Sequence, residues 1–156
     1  MTETNLLTDR QFQAWRAFQR MRMQLLPHLL RQLSAHSELS EAEYVVLVSL
    51  SESETPAVRA KDLGNFLGWE ISRLSHQITR MEAGGLVKRE ACPKDARGFE
   101  VSLTEAGRAI IERALPRQNL EVKHCFGDVL TAEQLDCLIE ISAAITQHLR
   151  DEHGGL

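Results

Sequence analysis

Apolar residues recur with a helical period through most of the chain. Phe12, Trp15, Phe18, Leu25, Leu26, Leu29 and Leu33 fall in steps of three and four, with Arg22 in the same series, so residues 9–35 read as one long helix with an apolar stripe. Thr8 and Gln11 form a capping box at its start, and Pro27 predicts a kink near 23–27. A second capping box, Ser40-Glu41-Ala42-Glu43, opens a helix with Tyr44, Leu47 and Val48 on one face, ending near Ser51. Residues 53–56 read as a turn. Residues 60–66 form a short helix with Leu63, Phe66 and Leu67 inward, stopped by Gly68. The next helix, about 70–83, sets Ile71, Leu74, Ile78 and Met81 inward and ends at Gly84-Gly85.

Here the period drops from 3.6 to 2. Leu86 to Ala91 and Phe99 to Leu103 read as two strands, joined by residues 92–98 with Pro93, Asp95 and Gly98 as turn residues. Thr104 caps a long helix to about Phe126, with Ile111, Leu115, Val122 and Phe126 in one stripe and a bend expected at Pro116. Thr131 and Gln134 open the last helix, carrying Leu135, Leu138, Ile139, Ile145 and Leu149, and residues 151–156 read as a frayed tail. The fold class is therefore mainly α with a small β-hairpin wing, organised as one domain over residues 1–156. Residues 41–103 make a winged helix-turn-helix lobe with its own small core. The stripes on 9–35 and 105–150 have nothing else to cover them in one protomer, which predicts dimerisation helices and a homodimer.

The predicted outer face of helix 70–83 carries Ser72, Arg73, Ser75, His76, Gln77, Thr79 and Arg80, with no acidic residue among them. Arginine can bridge guanine O6 and N7, glutamine can pair with adenine, and hydroxyls suit phosphates or base edges. The hairpin tip holds Lys94, Asp95 and Arg97; an arginine on a narrow wing can enter the minor groove, oriented by the aspartate. This pattern points to double-stranded DNA, although the net charge is −4. The charge is uneven: residues 59–108 hold nine basic against seven acidic groups, and the rest hold nine against fifteen.

At this point the chain resembles the MarR family of bacterial transcription regulators, from about residue 10 to 150. The likeness rests on Leu63, Leu67-Gly68, Ser72, Leu74-Ser75, Ile78, Arg80-Met81-Glu82, Gly85-Leu86-Val87 and Arg89. It continues through Asp95-Ala96-Arg97, Val101, Leu103-Thr104 and Gly107. The resemblance implies a triangular winged-helix dimer held by its first and last helices. It puts Ser72, Arg73, Ser75 and His76 on the major-groove face and Arg97 in the minor groove, supported by Asp95. Arg80 matches an arginine suited to phosphate contact or an internal ion pair. Ala96 and Gly98 replace the charged neighbours often found at the tip.

The two-fold symmetry of such a dimer predicts a pseudo-palindromic operator, and the resemblance also implies a repressor released by a small ligand. Trp15, Arg16, Phe18 and Tyr44 are the candidate ligand residues, and Arg16 with Arg59 suits an anionic or phenolic molecule. A protein-interaction module and a thiol-switched redox regulator are the alternatives. Against a thiol switch, the first helix has no cysteine; Cys92, Cys125 and Cys137 are scattered and read as reduced thiols, with Lys88, Arg89 and Lys94 near Cys92. His28, His36, His124 and His148 are dispersed, so no metal is expected. No catalytic motif or cofactor loop is present, and no enzyme activity or cofactor is expected. Without an apolar run of spanning length or a signal-peptide pattern, the chain is expected in the cytoplasm and away from membranes.

Overall fold

The computed structural model describes residues 6–92 and 98–152. Six α-helices, three short strands and one π-helical turn follow in order: α1 (Asp9–His36), α2 (Glu41–Ser51), β1 (Ala57–Arg59), α3 (Ala60–Leu67), α4 (Ile71–Ala83), β2 (Val87–Ala91), β3 (Phe99–Leu103), α5 (Glu105–Val122), the π turn (Lys123–Gly127) and α6 (Ala132–Glu152). The helix starts are those the sequence marks. Thr8 and Gln11 exchange backbone and side-chain hydrogen bonds, as do Ser40 and Glu43, and Thr131 and Gln134. Pro27 lies inside an unbroken α1. The helix after Thr104 gives way to the π turn at Lys123, earlier than expected, and the last helix runs through Asp151 and Glu152, where a frayed tail was expected.

The wing is larger than a hairpin. β1, β3 and β2 form an antiparallel sheet in that order, with Val58 opposite Val101 and Arg89 opposite Val101 on its other side. Three residues are too short to show a period of two, so β1 is silent in the sequence. It becomes a strand because the free edge of β3 satisfies its backbone groups.

The core lies between α2, α3, α4 and the sheet, with Val46, Leu47, Leu74, Ile78, Met81, Val87 and Val101 fully enclosed. It is not closed by residues 41–103 alone. Leu33 from the end of α1, Leu39, and Ile111 and Ala114 from α5 complete it. Two inward expectations also fail. Phe66 is 72 % exposed and Ile71 is 52 % exposed. Phe66 lies in the last turn of the eight-residue α3, whose buried face is already filled by Ala60, Leu63 and Gly64. Ile71 lies at the start of α4 and lines an open cleft shared with Trp69, Phe99 and Leu149.

Two glycines fix how the elements meet. Gly68 ends α3 with φ 64°, a left-handed conformation that side chains resist, and its N–H closes onto the Asn65 carbonyl. At Gly107, a Cβ would sit 1.9 Å from the Leu86 carbonyl oxygen. The first turn of α5 therefore lies directly on the start of β2. Thr104 adds a second fastening, its hydroxyl donating to the Gly85 carbonyl at 2.6 Å.

Candidate nucleic-acid interface

α4 follows α3 across the tight turn at Gly68, with the wing sheet beside it, in the relation of a helix-turn-helix and its wing. Leu74, Ile78 and Met81 bury one face of α4. The opposite face forms a shallow depression lined by Ser72, Arg73, His76, Thr79 and Arg80. Ser75 is at its margin, half-buried. Among the described residues, no carboxylate pairs with Arg73, His76 or Arg80. The positive charge on this face is therefore left for an external anion.

Gln77 is not on this face. It is only 4 % exposed. At 100° per residue, position 77 falls beside the inward line through Leu74, Ile78 and Met81. Its amide oxygen accepts a hydrogen bond from the Arg80 guanidinium, so Gln77 holds Arg80 from beneath. An adenine-reading role for Gln77 is corrected by this burial.

Thr79 is also engaged. Its hydroxyl donates to the Ser75 carbonyl at 2.9 Å and accepts from Arg89 Nη1 at 3.1 Å. Arg89 lies on β2 in the same alternation as Val87, so it points toward α4 while Lys88 points away. Its guanidinium stacks on the Phe99 ring, 3.9 Å from the centroid, and its backbone N–H donates to Glu82 Oε1 at 3.1 Å. Arg89 thus ties α4 to the wing sheet. Its sequence signal was the period-two placement after Val87.

A second arginine–aromatic stack lies at the other end of α4. Arg73 sits 4.2 Å from the centroid of Trp69, one helical turn earlier. Trp69 is half-buried against the core, and its N–H donates to the Gly64 carbonyl at 2.8 Å.

At the base of the wing, the Cys92 N–H donates to the Gly98 carbonyl at 3.2 Å, and the Cys92 thiol is buried, 3.7 Å from Glu100 Oε1. Lys94, Asp95 and Arg97 lie outside the described residues. The ligand candidates are not gathered together. Trp15 and Phe18 stack at 5.8 Å on the exposed side of α1, and Arg16 lies over Phe12. Tyr44 packs against the lobe core, where burial, and secondarily the charge of Glu52, push its hydroxyl pKa up. A cleft of about 1030 Å³ lies elsewhere, between α1, the π turn and α6, lined by residues including Met21, Leu25, Phe126, Leu138 and Ile141. None of Trp15, Arg16, Phe18 or Tyr44 lines it.

The MarR family model matches residues 39–99, the lobe from just before α2 to the start of β3. AbsC, a MarR family transcriptional regulator from Streptomyces coelicolor, is similar over nearly all of both chains. The likeness has 38 % identity and a TM-score of 0.80, covering 95 % of this chain and 99 % of that one. This chain belongs to the MarR family. Sco3205, a MarR family transcriptional regulator from Streptomyces coelicolor solved in complex with DNA, is 34 % identical with TM-score 0.79, covering 92 % of this chain and 93 % of that one. An HTH-type transcriptional regulator of Bacillus cereus is 36 % identical over 75 residues, 48 % of this chain and 49 % of that protein. The chain thus spans about half the length of the curated relatives it matches. The MarR relatives are transcriptional regulators, not enzymes. No helix among the described residues is long and apolar enough to cross a membrane.

Proposed function

We propose that this MarR-family chain is a homodimeric, sequence-specific regulator that binds double-stranded DNA, acting as a repressor released by a small ligand. The observation that carries the reading is the exposed face of α4, with Ser72, Arg73, His76, Thr79 and Arg80 around one depression and, among the described residues, no carboxylate paired with its cations. In this reading α4 enters the major groove, with Ser75 near the backbone. The 92–98 wing, with Lys94, Asp95 and Arg97, reaches the flanking minor groove. Residues 41–103 act as the reading lobe, and 9–35 with 105–150 as the dimer frame.

The homodimer is supported by what one protomer leaves uncovered. Ile139, Ile141 and Ile145 on α6, and Trp15 and Met23 on α1, are each more than half exposed. The α1–α6 cleft offers an apolar seat between the two helices. A second copy is the occupant that covers all these faces at once, through a self-complementary two-fold contact. Two-fold symmetry then sets two copies of α4 about 34 Å apart on a pseudo-palindromic operator.

Release by a small anionic or phenolic ligand follows from the same frame. A ligand that binds more tightly to a dimer with another α4 spacing lowers operator affinity by its difference in affinity for the two states. Trp15, Arg16, Phe18 and Tyr44 remain the residues proposed for it.

The test is fluorescence anisotropy across a salt series, using a duplex from the region upstream of the protein's own gene and a duplex selected from a random library. Tight binding to either over a scrambled duplex, weakening steeply with salt, is the expected result. Equal weak binding to selected and scrambled duplexes would reject it. Adding salicylate as a phenolic anion tests release separately, because it reads dissociation of a complex already formed.

A further inference from the structure

We propose that Trp69 is a platform that aims Arg73 at a guanine, making this pair the principal base-reading element of α4. The inference rests on the DNA-binding reading above and adds a reader, a positioning residue and a chemical target.

A guanidinium presents two different surfaces. Its flat face is attracted to the π-face of an aromatic ring, and its N–H groups point outward in the plane. Arg73 holds its guanidinium carbon over Trp69, 4.2 Å from the ring centroid, a distance that suits a face-on stack. Among the described residues, its N–H fork has no hydrogen-bond partner. Stacking therefore spends the surface that cannot read a base and leaves free the one that can. An in-plane fork is complementary to two acceptors side by side, and in the major groove that pattern belongs to guanine O6 and N7.

The neighbouring arginines lack this freedom. Arg80 donates to the buried Gln77, and Arg89 donates to Thr79 while stacking on Phe99. Both are committed to the protein at the far end of α4. Of the described arginines on α4 and the wing, Arg73 combines an aromatic support with an unpaired fork near the helix N-terminus, the end from which such helices reach base edges.

Trp69 is itself well held. It packs against the lobe core, and the left-handed Gly68 with the Trp69 N–H bond to Gly64 fixes its backbone. An arginine already constrained by such a ring loses less freedom when it meets a base than one waving in solvent.

The experiment uses the full chain. Binding sites are selected from a random duplex library with the unaltered protein. Affinities are then measured for the selected duplex and for each single base-pair replacement, using the unaltered protein, Arg73→Ala, Trp69→Ala, Trp69→Phe and Arg80→Ala. One guanine per half-site is expected at which replacement weakens the unaltered protein about 5- to 150-fold and leaves Arg73→Ala indifferent. At that base pair only, Trp69→Ala should lose about 2- to 30-fold of the discrimination, and Trp69→Phe should keep most of it. The slope of log K against log salt should not change in either Trp69 variant, because a positioning ring neutralises no phosphate. Arg80→Ala should leave the discrimination at that guanine intact.

Arg73→Ala weakening all duplexes equally, with a salt slope smaller by about one, would make Arg73 a phosphate contact and overturn the proposal. Full discrimination by Trp69→Ala would overturn the role of the ring. Thermal melting checks each variant's fold. If Trp69→Ala does not fold, Trp69→Phe and Trp69→Leu carry the test: Leu, apolar but without a π-face, should lose what Phe retains. If the unaltered protein selects no sequence, the DNA-binding reading falls and this one with it. If it selects a motif in which no guanine tracks Arg73, only this inference falls.

Discussion

The winged lobe and the helical frame are built from similar proportions of apolar residues put to opposite uses. In the lobe, Val46, Leu47, Leu74, Ile78 and Val101 are closed off from solvent. On α6 no residue is buried, and Ile139, Ile141 and Ile145 face outward. The lobe has spent its hydrophobic surface on its own fold. The frame leaves much of its apolar surface uncovered within the protomer. The contrast explains why the two regions should respond differently to the same kind of substitution.

The sharpest break is expected in the frame. Ile141→Asp would set a charge in a face that the proposed dimer buries, with little effect on the protomer's own core. Sedimentation at micromolar concentration should show a folded monomer, and binding to a palindromic duplex should fall by two orders of magnitude or more. A variant that remains dimeric would remove α6 from the interface. Next comes the lobe. Leu47→Ala should cost about 2–5 kcal/mol in urea denaturation, through lost burial plus a residual cavity. Its dimer contacts should survive wherever the variant is folded. Gly107→Ala should cost about 1–3 kcal/mol, because its methyl meets the Leu86 carbonyl oxygen at 1.9 Å unless α5 shifts. An unaffected melting temperature would show that the joint between lobe and frame is loose.

Smaller effects refine the reading surface. Arg89→Leu removes the bond to Thr79 and the stack on Phe99, and is expected to cost about 1 kcal/mol of stability. Double-mutant coupling with Thr79→Val measures the link between α4 and the wing. The smallest effect concerns alkaline pH. The Tyr44 hydroxyl pKa is raised above the ordinary 10.0, chiefly by burial. Its contribution to stability is full below the unfolded value and is lost as pH climbs through the folded one. Tyr44→Phe should flatten the fall of stability above about pH 10. An unchanged slope in that range would place Tyr44 in water.

The sequence showed best what depends on neighbours along the chain. The boxes at Thr8, Ser40 and Thr131, the stop at Gly68 and the change of period at Leu86 are local signals, and each reappears in the structure. What depends on distant partners was hidden. β1 exists because β3 offers it an edge, and the lobe core is completed by Leu33 and Ile111 from helices assigned to the frame. Within the candidate site, six polar residues of α4 face outward or stand at its margin as expected. Gln77 departs from them because its place on the helical wheel falls beside the inward line of Leu74, Ile78 and Met81, where it is buried. The stacks on Trp69 and Phe99 were invisible because each pairs an arginine with a ring whose orientation only the fold decides.

The contact at Gly107 has a mechanical meaning. A helix that begins directly on a strand, with Thr104 hooked onto Gly85, is a stiff elbow and not a free hinge. Torque applied along α5 is delivered at the root of the wing before it can dissipate in a loop. In the proposed dimer, a small tilt of the frame would therefore be carried rigidly into the root of each wing, like a crank turning with its shaft.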